Sequence, residues 1–158
     1  MVGLAEMAVS NNPSAILTTY SLGSCIGVAV YDPVVRVGGL LHAMLPDSTI
    51  DPAKAQANPG KFVDTGMPAL LRAACHMRAD ARRLRYYLVG GASIMDDQNL
   101  FNIGTRNVTA FMEFLRRQNG CLVAQQVGGQ VNRTMFLAVE TGRVTLKVSG
   151  MATETTLA

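Results

Sequence analysis

Two apolar runs joined by a short Asp-Pro turn constrain this chain more than any other feature. Ile26-Gly-Val-Ala-Val-Tyr31 alternates large and small apolar residues, stops at Asp32-Pro33, and is answered by Val37-Gly-Gly-Leu-Leu-His-Ala-Met44. Short apolar runs bounded by turn residues predict strands, and their closeness in sequence predicts a hairpin. A turn through 32–36 sets positions summing to about 67 or 68 opposite one another. His42 then faces Cys25 or Ile26.

The rest of the chain fits around that hairpin. Residues 15–20 are rich in β-formers and read as a strand, whereas 47–60 are polar, Pro/Gly-punctuated and read as a loop. The spacing of Val63, Met67, Leu70, Leu71 and Ala74 predicts a helix over 61–78, with Cys75 and Met77 packing beside its stripe. Residues 84–89 read as a strand ending at Gly90-Gly91. A second helix is expected after Thr105, with Val108, Phe111, Met112 and Leu115 on one face and Gly120 just past its end. Residues 121–124, 135–139 and 144–148 read as strands, the last two joined by a tight turn at Glu140-Thr-Gly-Arg143. Without repeats or an interior linker, the expectation is one α+β domain over 1–158, with mixed or antiparallel sheets and about two main helices.

Composition excludes several classes. With 49% apolar and 16% charged residues the chain is neither disordered nor a coiled coil. The three cysteines are odd in number and widely spaced, against a disulfide framework and for a reducing cytoplasm. No Cys-x-x-Cys pair and only two histidines argue against structural zinc. The first residues lack a basic segment and carry Glu6, so no signal peptide is expected, and no apolar run is long enough to span a membrane. The net charge of +3, the absence of Trp and the lack of a basic stripe with aromatics argue against nucleic acid. Arg78, Arg82, Arg83 and Arg85 form the one basic cluster. A solvated helix end accounts for it, and a surface for an acidic partner is the alternative.

The chemistry-bearing segment is Thr18-Thr-Tyr-Ser-Leu-Gly-Ser-Cys25. A strand ends, a turn containing Gly23 follows, and Cys25 stands where the chain re-enters a strand. A cysteine at a sheet rim beside the N–H groups of Ser24 and Cys25 has what acyl transfer needs, a nucleophile and oxyanion donors. An imidazole is the usual means of making a thiol reactive at neutral pH, and the hairpin supplies His42. His76 cannot pair with Cys75, since successive helical side chains diverge by about 100°. A cysteine in an apolar stretch also occurs simply as a small buried hydrophobe, which remains open for Cys25 and is the expectation for Cys75 and Cys121. Ser24 lacks the Gly-x-Ser-x-Gly elbow of a serine nucleophile. Asp64, Asp96 and Asp97 are expected to cap or turn the chain.

These residues resemble a known family, the chemoreceptor glutamine deamidases called CheD. Leu22-Gly-Ser-Cys25 with Tyr31-Asp-Pro33 looks like the family's nucleophile segment, and Gly38-Gly-Leu-Leu-His42-Ala-Met-Leu-Pro46 like its histidine segment. Lys61-Phe-Val-Asp64, Gly90-Gly-Ala92, Asn102-Ile-Gly-Thr-Arg-Asn107, Gly128-Gly129 and Glu140-Thr-Gly-Arg143 follow in the family's order. The resemblance implies an α/β sandwich similar to bacterial toxin deamidases, and no cofactor is expected. It implies Cys25 as nucleophile, His42 as base and Thr19 (or Thr18) orienting His42, while the turn itself offers Gly23 and Ser24 as the oxyanion and substrate loop. It further implies chemoreceptor cytoplasmic domains as substrates, methylesterase activity at the same positions and, in some bacteria, a CheC-type phosphatase partner. A regulatory module docking such a phosphatase or a receptor is the alternative. A redox-sensing thiol is a weaker one, since no resolving cysteine lies near Cys25 in sequence.

Overall fold

The computed structural model describes residues 1–94 and 101–157. The predicted hairpin is its centre. β3 (Ile26–Asp32) and β4 (Val37–Ala43) pair antiparallel, and every residue of both is buried. Burial on alternate positions alike means that both faces are covered. β1 (Met7–Ser10) extends the sheet beside β4; β5 (Arg85–Gly90) and then β6 (Cys121–Val127) extend it beside β3, giving the order β1-β4-β3-β5-β6. β5 and β6 run parallel, as a crossover through a helix requires. A second, antiparallel sheet has the order β2-β7-β8-β9, formed by Ile16–Leu22, Arg133–Ala138, Val144–Val148 and Glu154–Thr156.

Side-chain parity sorts the core into two layers. Ile26, Val28, Val30, Leu41 and Leu88 face the helices α2 (Val63–His76) and α3 (Ile103–Gln118), and meet Met67, Leu70, Phe111 and Leu115 there. Ala29, Tyr31, Leu40, Tyr87 and Val89 face the second sheet and meet Leu17, Met135, Leu137 and Leu146. The architecture is α+β, as expected, with the two main helices on one face of the mixed sheet and the antiparallel sheet on the other.

Several local expectations are corrected. Residues 47–60 are not a plain loop: 3-10 turns at Ser48–Ile50 and Pro59–Lys61 flank a short helix, α1 (Pro52–Ala57), capped by Asp51. Asp64 does not cap its own helix; its carboxylate accepts from the N–H and hydroxyl of Ser48 and ties that turn down. Cys75 and Cys121 are exposed. Position 75 lies one residue, about 100°, round the helix from the buried Ala74, and Cys121 opens the edge strand β6. Met112 likewise turns outward, leaving Gly104, Asn107, Phe111 and Leu115 as the buried stripe of α3. In the basic cluster, Arg82 pairs with Asp80, and Arg83 pairs with Asp80 and the fully buried Asp32. Asp96 and Asp97 lie outside the described residues. No helix among the described residues is long and apolar enough to cross a membrane.

Candidate active site

The hairpin register is Ile26↔Ala43 and Gly27↔His42, so the paired positions sum to 69. His42 therefore faces Gly27, neither Cys25 nor Ile26. The shift arises at the turn, because β3 runs one residue further than expected and closes on the pair Asp32↔Val37. Asp32 stays extended because its carboxylate is anchored: it accepts from Arg83 Nη2 and the Asp80 N–H, both at 2.8 Å, and from the Val34 N–H at 2.9 Å. Gly27 and His42 share a face, and that face looks into the layer between the sheets. Cys25 packs against the same layer. Gly27 makes room there, since a Cβ on it would meet Leu22 Cδ1 at 2.7 Å.

From the opposite sheet, Thr19 projects inward from β2 and is fully buried. Its Oγ1 lies 2.8 Å from His42 Nδ1 and 2.8 Å from the carbonyl oxygen of Val2. A carbonyl can only accept, and a threonine hydroxyl has one proton to donate. The proton therefore goes to Val2, and the hydroxyl accepts from Nδ1–H. That arrangement fixes the tautomer of His42, leaving a lone pair on Nε2. Nε2 is buried and has no hydrogen-bond partner among the described residues. Burial pulls the imidazole pKa down to about 4, so the ring is neutral near pH 7 and its Nε2 lone pair unprotonated. Thr18, the alternative to Thr19, pairs with Phe136 in the second sheet, whereas the hydroxyl that meets His42 Nδ1 is that of Thr19.

Between Thr19 and Leu22 the register of β2 against β7 shifts, and Ser21 takes φ 59 within this bulge. Bulges redirect a strand, and this one turns the chain into the loop 23–25. The Gly23 N–H is already taken by Ser21 O at 3.0 Å, so Gly23 is not a free donor. Among the described residues neither the Ser24 nor the Cys25 N–H meets an acceptor in another residue. The loop is held from behind by Gly90 and Gly91, both at positive φ: the Gly91 N–H donates to Cys25 O at 2.9 Å, and Gly90 packs so tightly on that carbonyl that a Cβ there would overlap it. Cys25 itself is half-buried. Burial pushes its thiol up, and its own backbone N–H counteracts this only in part.

The residue missed from the sequence is Asn107. It is fully buried on α3, and its Nδ2 donates to Ser24 O at 2.9 Å and Met44 O at 3.0 Å. One side-chain nitrogen thus joins the cysteine loop to the end of the histidine strand. The available signal was its place four residues before Phe111 and eight before Leu115: a polar residue on a buried stripe.

The α+β fold thus carries a thiol at the rim of one sheet and, between the two sheets, an imidazole hydrogen-bonded to a threonine. The comparisons then give the family. A family profile described as CheD chemotactic sensory transduction matches residues 44–148. A Solibacter usitatus protein named "Probable chemoreceptor glutamine deamidase CheD" is 46% identical over 154 residues, 98% of this chain and 91% of the relative. "Probable chemoreceptor glutamine deamidase CheD 1" of Syntrophus aciditrophicus is 45% identical over 95% of this chain and 94% of the relative. A Thermococcus kodakarensis relative bearing the first of these names is 40% identical over 92% of the chain. The chain belongs to the CheD family.

Proposed function

We propose that this protein is a chemoreceptor glutamine deamidase working through Cys25, His42 and Thr19. The observation that carries the reading is the bare, buried Nε2 of His42, held as an acceptor by Thr19. At rest the thiol and imidazole are both neutral, because burial raises the one and lowers the other. Transfer of the Cys25 proton to Nε2 therefore accompanies attack of sulfur on the carboxamide carbon of a receptor glutamine. The carbonyl oxygen becomes an oxyanion, received by the N–H groups of Ser24 and Cys25 in the loop with Gly23. Nε2–H returns its proton to the leaving nitrogen, ammonia departs, and a γ-glutamyl thioester remains. Water then attacks with His42 again as base, releasing glutamate and restoring the thiol. The same steps applied to a glutamyl methyl ester release methanol, so methylesterase activity belongs to the same proposal.

Cys25→Ala should abolish ammonia release from the cytoplasmic domain of a chemoreceptor, and mass spectrometry should show each converted glutamine gaining about one mass unit with the intact enzyme. Unchanged release by the variant would sink the assignment. The alternative, a regulatory module docking a CheC-type phosphatase or a receptor, rests on the basic stretch 78–85 and the segment 47–60. Arg82 and Arg83 there are paired within the chain, which favours the enzymatic reading.

A further inference from the structure

Three consecutive carbonyls of the cysteine loop are each held by a separate donor. Gly23 O accepts from the Ala92 N–H at 2.7 Å, Ser24 O from Asn107 Nδ2 at 2.9 Å, and Cys25 O from the Gly91 N–H at 2.9 Å. In a planar trans peptide the C=O and the following N–H point in opposite directions. Fixing the Gly23 and Ser24 carbonyls thus aims the Ser24 and Cys25 N–H groups away from those donors. Two of the three donors are backbone groups. The third, governing the Cys25 N–H, is the side chain of Asn107. Its amide orientation is unambiguous, because both neighbours, Ser24 O and Met44 O, can only accept. Its Oδ1 is buried without a partner among the described residues, so an apolar residue would suit this stripe of α3 better but for what the nitrogen holds.

We infer that Asn107 is a positioning residue for the oxyanion site: by holding Ser24 O it directs the Cys25 N–H toward the oxygen of the acyl group, and by holding Met44 O it keeps the histidine strand in register with that donor. The substrate rests on the deamidase reading; the donor geometry serves any acyl transfer to Cys25.

The test compares two reactions of Cys25 in the full-length protein, with rates read from the mass of its peptide. With 4-nitrophenyl acetate the sulfur adds to the acetyl carbonyl, an oxyanion forms, and 4-nitrophenolate leaves as the thioester forms. With iodoacetamide the sulfur displaces iodide from carbon and no oxyanion arises. In Asn107→Ala and Asn107→Asp, acylation should fall by about 10²-fold, the loss expected for an oxyanion donor, while alkylation stays near the wild-type rate. Parallel loss of both rates would mean a merely structural role, and no loss of acylation would mean no role; either overturns the inference. Should neither variant melt cooperatively, amide exchange in the wild type decides. Protected Asn107 side-chain protons with freely exchanging Ser24 and Cys25 N–H groups support the assignment, and a protected Cys25 N–H overturns it. Ammonia release by the wild type from a receptor fragment is scored separately: its absence overturns the deamidase reading and leaves the acylation comparison standing.

Discussion

Thr19 Oγ1 receives the Nδ1–H of His42 across the gap between the two sheets, at 2.8 Å. Replacing Thr19 by Val keeps the shape and removes the acceptor. The imidazole proton is then free to sit on Nε2, where it blocks the base. Thr19→Val should lower kcat for ammonia release by about 10²-fold, within the range of a general base, while Thr19→Ser retains most of it. Equal rates for the two variants would show that the hydroxyl has no part in orienting His42.

The low pKa of His42 has a signature in stability. The folded chain keeps the ring neutral down to about pH 4, whereas the unfolded chain binds a proton near the ordinary value of 6.5. Between these values the unfolded state binds more protons, so stability rises with pH in that window and is lost as pH falls from 6.5 towards 4. Denaturant melts at pH 7, 5.5 and 4.5 should show this loss in the wild type and a flatter profile in His42→Gln. Identical slopes would contradict the buried, neutral ring.

Gly90 carries φ +110 and presses on the carbonyl of Cys25. Gly90→Ala should destabilise the fold by about 1–3 kcal/mol from backbone strain alone, and more if the carbonyl must move. A thermal midpoint within a degree of wild type would show that the loop yields freely.

Asp32 is a buried carboxylate whose desolvation is outweighed by the Arg83 guanidinium and two backbone N–H donors, which hold its pKa below the usual range. Asp32→Ala strips these donors of their acceptor and should cost about 3 kcal/mol, measured by chemical denaturation. Since this residue closes the hairpin that carries His42, the variant should also lower the proposed ammonia release.

What the chain discloses before folding follows the range of the interactions involved. The strands and the two long helices were legible because apolar periodicity is local: Val63, Met67, Leu70 and Ala74 sit on one face whatever surrounds them. His42 was legible as a companion to Cys25 because a hairpin ties the two together within 17 positions. The register slipped because its cause, Arg83 gripping Asp32, lies 51 residues away. β1 and β9 leave little trace in the sequence, being short and only half-buried or exposed, and held by partners elsewhere in the chain. The Val2 carbonyl was beyond reach altogether, since a backbone acceptor carries no mark of residue type.

That carbonyl gives the first residues of the chain an unexpected authority. Met1 projects into solvent, yet Val2 is buried, its N–H donates to Thr18 O at 2.7 Å, and the Ala5 N–H donates to His42 O at 3.0 Å. The Thr19 hydroxyl gives its proton to a backbone oxygen at position 2, and through that one bond a residue seventeen places before Thr19 sets which nitrogen of a ring between the two sheets carries its hydrogen.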